Sequence, residues 1–175
     1  MSQEMRHIFL PTEGHQMMES NFQCSFTADV APQAATDAIS NVPAWWARNF
    51  EGASRAAGEV FTVRFGDTFV TFRITELVPG QRIVWKVTDS HLHWLTDKKE
   101  WNGTEVQWDV SRNGDSTEVT LTHVGLVPEI ECYENCKGGW TFYATESLYE
   151  LLTKGQGSPN QAPALNTDAR LKNTG

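Results

Sequence analysis

Thr117-Glu118-Val119-Thr120-Leu121-Thr122-His123-Val124-Gly125-Leu126-Val127-Pro128 begins a stretch that closes on Ser147-Leu148-Tyr149-Glu150-Leu151-Leu152-Thr153-Lys154-Gly155. Its first half alternates. Val119, Leu121 and His123 share one side and Glu118, Thr120 and Thr122 the other, the pattern of a half-buried strand. At Val127-Pro128 the period changes. Ile130, Tyr133, Cys136 or Lys137, Trp140, Ala144, Leu148 and Leu151 then recur every three or four residues, as on one helix face. Pro128 suits a first helical position, Glu129, Glu131 and Glu134 suit a helix N-terminus, and Lys154-Gly155 closes the element. A helix of up to about seven turns is expected. Its apolar stripe needs a partner, and the chain upstream supplies a sheet.

Upstream, Phe22, Cys24, Phe26 and Ala28 alternate in a first strand. Two short helices follow, one over 31–41 with Pro32 at its start, the other a helix or turn over 44–50 containing Trp45 and Trp46. A meander comes next. Phe61, Val63 and Phe65 align, then Val70, Phe72 and Ile74, then Ile83, Trp85 and Val87, then Val106, Trp108 and Val110. Gly66-Asp67 marks one hairpin, and Pro79-Gly80 fits the central positions of a type II turn. Asn113-Gly114 marks a third turn, because type I′ turns need positive φ at both central residues. Residues 90–102 are irregular, though Leu92, Trp94 and Trp101 imply packing. The expected fold is α+β: a curved antiparallel sheet of about six strands wrapped on a long C-terminal helix, with two short helices between the first two strands. Each strand has one wet and one dry side. One helix underfills a wide sheet, and the remaining volume suits a ligand.

The chain of 175 residues divides into a flexible leader (1–20), one domain (21–155) and a disordered tail (156–175) of low apolar content. Net charge is −8 and the pI is about 5.1, with no basic cluster. Nucleic-acid binding is thereby disfavoured, because phosphate tracking requires a basic stripe. There is no apolar run long enough to span a membrane and no apolar core for a signal peptide, so a cytoplasmic location is expected. The three Cys are expected as reduced thiols.

Several motifs resemble a known family. They are Trp45-Trp46, Glu76-Leu77-Val78-Pro79-Gly80-Gln81-Arg82-Ile83-Val84-Trp85, Glu100-Trp101-Asn102-Gly103-Thr104 and Thr122-His123-Val124-Gly125-Leu126-Val127-Pro128. Cys132 to Leu152 adds Cys136, Trp140, Tyr143, Ser147 and Leu148. Together with the element order they resemble the START-like (SRPBCC, Bet v 1-type) superfamily, in its branch similar to the C-terminal domain of the heat-shock-protein-90 ATPase activator. The resemblance spans about residues 21–160 and implies the helix-grip fold. It leaves function open, since one fold carries many roles.

The candidate ligand-binding residues are mostly aromatic. Phe61, Phe65, Phe72, Trp85 and Trp108 point inward by alternation and Trp140 by helical period, serving either core packing or a cavity lining. Trp45, Trp46 and Trp94 suit a cavity mouth. His123, on the dry face, reads as a buried neutral imidazole on a backbone carbonyl, as a polar anchor, or as a general base. Tyr143 is a further polar anchor. Cys132 and Cys136, one turn apart, read as small buried residues, and Cys136 joins the candidate lining. With His123 they make only a weak metal pattern, and an i, i+4 disulfide is strained in a regular helix. Gly138-Gly139 costs about 1 kcal/mol per Gly relative to Ala in a helix interior. The pair implies a break, or close approach of the sheet or a ligand.

No nucleophile elbow, phosphate loop, dinucleotide fingerprint or HExxH motif occurs. No catalytic residue, metal or cofactor is assigned. The leading expectation is binding of a small hydrophobic or amphipathic molecule between sheet and C-terminal helix. The alternatives are a chaperone-associated or stress-response interaction module, and a cyclase- or hydrolase-like enzyme using His123.

Overall fold

The computed structural model describes residues 20–161. Seven strands form one antiparallel sheet: β1 (Phe22–Ala28), β2 (Phe50–Gly52), β3 (Val60–Phe65), β4 (Thr68–Val78), β5 (Arg82–His91), β6 (Glu105–Asn113) and β7 (Ser116–Val124). Their spatial order is β1-β7-β6-β5-β4-β3-β2. Between β1 and β2 lie two short helices, α1 (Pro32–Ser40) and α2 (Val42–Trp45). The C-terminal helix has three parts: α3 (Tyr133–Phe142), a π-helical turn (Tyr143–Leu148) and α4 (Tyr149–Lys154). This is the expected helix-grip architecture, with β2 as an additional three-residue strand that starts at the last residue of the expected helix or turn over 44–50.

The alternation read from the sequence sets the dry face. Phe61, Val70, Phe72, Ile74, Trp85, Val106, Trp108, Val119 and Leu121 are all buried, and the same core takes in Cys136, Trp140, Ala144 and Leu148 from the helix. In a straight α-helix, residues four apart drift around the axis, because 3.6 residues make a turn. The wider π-turn at Tyr143–Leu148 slows that drift and keeps Trp140, Ala144 and Leu148 on the sheet side.

Two local expectations shift. Residues 128–132 form turns and the helix starts at Tyr133, so Pro128 is not its first residue. The β6–β7 loop is Gly114-Asp115, with Asn113 paired to Ser116, one residue later than expected. Pro79-Gly80 does occupy its turn: Gly80 has φ 76° and Gln81 N–H donates to Val78 O at 2.9 Å.

The leader lies outside the described residues apart from Ser20, as does the tail beyond Gln161. The described part of the tail departs from expectation. Asn160 N–H donates to Trp46 O and Asn160 O accepts from Arg48 N–H, while Ser158 N–H donates to Ser147 Oγ. Gly157 sits where a Cβ would stand 2.7 Å from Ala44 O. The segment is a strap over α2, held by backbone bonds that low apolar content does not forbid.

Gly125, directly after β7, has φ 104°, and a Cβ there would lie 2.6 Å from Thr104 Cγ2. Gly103 has φ 85° with open space around its missing side chain. Gly125→Ala is expected to lose about 2 kcal/mol or more of unfolding free energy and Gly103→Ala about 1 kcal/mol. Urea denaturation of the two variants checks the difference.

Candidate functional site

A cavity of about 310 Å³ opens between one end of the sheet and α3. Phe65, Thr68 and Val70 form its sheet wall, and Asn135, Cys136, Gly139, Trp140 and Tyr143 its helix wall. Trp46 and Trp101 close the interior end. Leu92, His93 and Trp94 come from the loop after β5, and the Trp94 indole is 44% exposed at the rim. Its size is at the lower end of small-molecule sites.

The loop between β5 and β6 is fixed by unsatisfied helix ends. Glu131 and Cys132 N–H groups, at the entry to α3, both donate to the Glu100 carboxylate at 3.0 Å. In return the Glu131 carboxylate accepts Thr96 N–H at 2.9 Å. Acceptors here satisfy donors that the helix cannot pair itself. This clamp sets Trp101 beside Trp140, the two rings 10° from parallel with centroids 6.2 Å apart.

Behind Trp140 lies His123, fully buried. Trp140 Nε1–H donates to His123 Nδ1 at 2.9 Å, and Thr104 Oγ1 lies 2.9 Å from Nε2. An indole N–H only donates, so Nδ1 is the acceptor and Nε2 carries the proton. Thr104 Oγ1 then accepts from Nε2–H and donates to Trp101 O at 2.7 Å. Side-chain bonds, rather than the expected backbone carbonyl, thus set the tautomer. Burial pushes the His123 pKa down to about 3. Both ring nitrogens are engaged, and the ring stands behind the cavity wall rather than on it.

Cys132 and Cys136 are joined by a disulfide, with Cα atoms 5.6 Å apart. The expectation of three reduced thiols therefore fails for this pair. Cys132 is the residue before the first helical turn, and the Cα separation lies within the disulfide range. Cys24 keeps a free thiol, pushed up to about 11 by burial. Cys132, Cys136 and His123 are thus all otherwise engaged. Among the described residues no cluster of three His, Cys, Asp or Glu side chains assembles.

Of the candidates read from sequence, Trp46, Phe65, Trp94, Cys136, Trp140 and Tyr143 meet at the cavity. Phe72 and Trp85 instead pack against Trp46, Trp108 against Trp45, and Phe61 against Phe72 and Trp85 in the core, with centroids 5.0–6.1 Å apart. Trp45 is fully buried and donates its Nε1–H to Ile39 O at 3.2 Å. It is not at a mouth. Sequence reading missed His93, which sits in an irregular loop, and Asn135, a polar residue beside the apolar stripe of α3. Gly139 was expected at a helix break or at a close approach of the sheet or a ligand, and it stands in the cavity wall within an unbroken α3.

The family model of activator of Hsp90 ATPase homolog 1-like proteins matches residues 34–153. The chain belongs to this family. Among solved structures, the Aha1 dimer of Colwellia psychrerythraea is 20% identical with TM-score 0.65, covering 78% of this chain and 98% of that one. SSP2350 of Staphylococcus saprophyticus is 16% identical with TM-score 0.61, over 83% and 99% of the two chains. CalU16 of Micromonospora echinospora is 15% identical with TM-score 0.56, over 75% and 74%. At these identities the likeness to solved structures is one of fold. No curated protein matches the sequence. Among the described residues no helix is long and apolar enough to cross a membrane.

The low His123 pKa makes a pH prediction. The ordinary value is 6.5, so between pH 6.5 and about 3 the unfolded chain binds a proton that the folded chain refuses. This contribution is fully present above pH 6.5 and is lost as pH falls, by at most about 1.4 kcal/mol per pH unit. His123→Phe is expected to be less stable at pH 7, because it strands the Trp140 indole N–H and removes one of the two bonds of Thr104 Oγ1. Its stability should nevertheless fall less steeply from pH 6.5 to 4 than that of the native chain. Equal slopes in pH-resolved urea denaturation would show that His123 is not held neutral.

Proposed function

We propose that this chain binds a small hydrophobic or amphipathic molecule in the cavity between the sheet and the C-terminal helix. The observation that carries this reading is an open cavity of about 310 Å³ walled mainly by aromatic and aliphatic side chains. Burying roughly 300 Å² of apolar ligand surface at about 25 cal/mol per Å² supplies about 7 kcal/mol. Even before the cost of immobilisation this corresponds to a Kd of about 10 μM, so high-micromolar to millimolar affinity is the expected scale. Trp46, Trp101 and Trp140 line the space, so an occupant quenches or shifts their emission. Titration with a broad panel of lipophiles should give saturable tryptophan quenching for at least one member. A flat response across the panel counts against binding.

The family match favours a second reading, docking on an Hsp90-type chaperone. Calorimetric titration of the full chain into purified Hsp90 should then release or absorb measurable heat with a defined stoichiometry. No heat at tens of micromolar would remove this reading and leave the cavity unaffected.

A further inference from the structure

Gly138 and Gly139 lower the propensity of the segment that forms α3, yet the helix passes through both without a break. Neither has the positive φ that would call for glycine. A Cβ added at either meets nothing within 4 Å, so close approach of the sheet does not explain them. The two differ in surroundings. Gly138 is exposed and away from the cavity, whereas Gly139 is half-buried and part of its wall, one residue before Trp140. At Gly139 the missing side chain leaves bare helix backbone facing open cavity space.

The charge of the wall narrows the occupant. None of its lining residues is Asp, Glu, Lys or Arg, and the chain as a whole carries a net charge of −8. A carboxylate or phosphate entering the cavity would lose hydration with no cation to compensate it. Thr68 Oγ1 is already taken by His93 N–H at 3.2 Å. The imidazole of His93 and the amide of Asn135, both exposed at the rim, remain for a neutral polar edge. Inside, the rings of Trp46, Trp101 and Trp140 present π faces and edges, which favour another aromatic ring over an aliphatic chain of equal area.

We propose that the occupant is a flat, uncharged polycyclic aromatic molecule lying against the bare helix backbone at Gly139, with its polar edge toward His93 and Asn135. Gly139 is then the specificity-determining position. This inference rests on the cavity-binding reading above and adds the ligand class.

The test compares two fluorescent probes on the full chain: Nile red, a flat uncharged polycycle, and cis-parinaric acid, a flexible-chain carboxylic acid. Nile red should bind at least ten-fold more tightly. Gly139→Leu should weaken Nile red at least ten-fold while its thermal midpoint stays at or above the native value. Gly138→Leu should leave Nile red affinity unchanged. Saturable binding of cis-parinaric acid as tight as Nile red overturns the ligand class and leaves cavity binding standing. Native-like Nile red affinity in Gly139→Leu overturns the role of Gly139. A lowered midpoint in that variant does the same, because it shows that the space is not open. No binding of either probe overturns both the ligand class and the cavity-binding reading.

Discussion

The bond from Trp140 Nε1 to His123 Nδ1 joins the two halves of the grip. His123 sits on β7 and Trp140 on α3, and each is buried in the same core. Because the bond is directional, it sets how α3 is rotated as well as how close it lies. Trp140 in turn touches Trp46 at 4.8 Å, Trp101 at 6.2 Å and Trp108 at 6.2 Å between ring centroids. Sheet, loop, helix and the residue that follows α2 meet on this one indole. The low His123 pKa follows from the same enclosure, and so does the position of the cavity wall.

The packing includes one unresolved expense. Among the described residues, the Trp85 and Trp108 indole N–H groups are buried without a hydrogen-bond acceptor. Such a group costs about 1–3 kcal/mol when stranded. Both rings stand edge-on to neighbouring indoles, with Trp108 at 84° to Trp45 and 66° to Trp85. The positive edge of one ring against the negative face of another offsets part of that cost.

Most of the fold was legible because the sheet has one wet and one dry face, and a period of two marks such strands directly. Parity tells which face a residue points to, not how far along the sheet it lies. Phe61, Phe72, Trp85 and Trp108 therefore read as equal to Phe65 and Val70, although only the latter two reach the cavity. The helix start was misread for a similar reason. Pro128 and its acidic neighbours imitate a first turn, whereas Glu100, some thirty residues away, receives the N–H groups at the true entry. A clamp between distant segments leaves no local signal. The disulfide was discounted on helix regularity, and it forms where the helix has only begun.

The strap from Gln156 to Asn160 has a consequence for where this unit can be cut. Its bonds run to Trp46 O, Arg48 N–H and Ser147 Oγ, so it holds the back of the Trp45-Trp46 segment whose front closes the cavity. Trimming at the last helical turn would preserve every regular element and still release that segment. The bonds that hold this segment therefore run as far as Asn160, and fusions or tags belong beyond it.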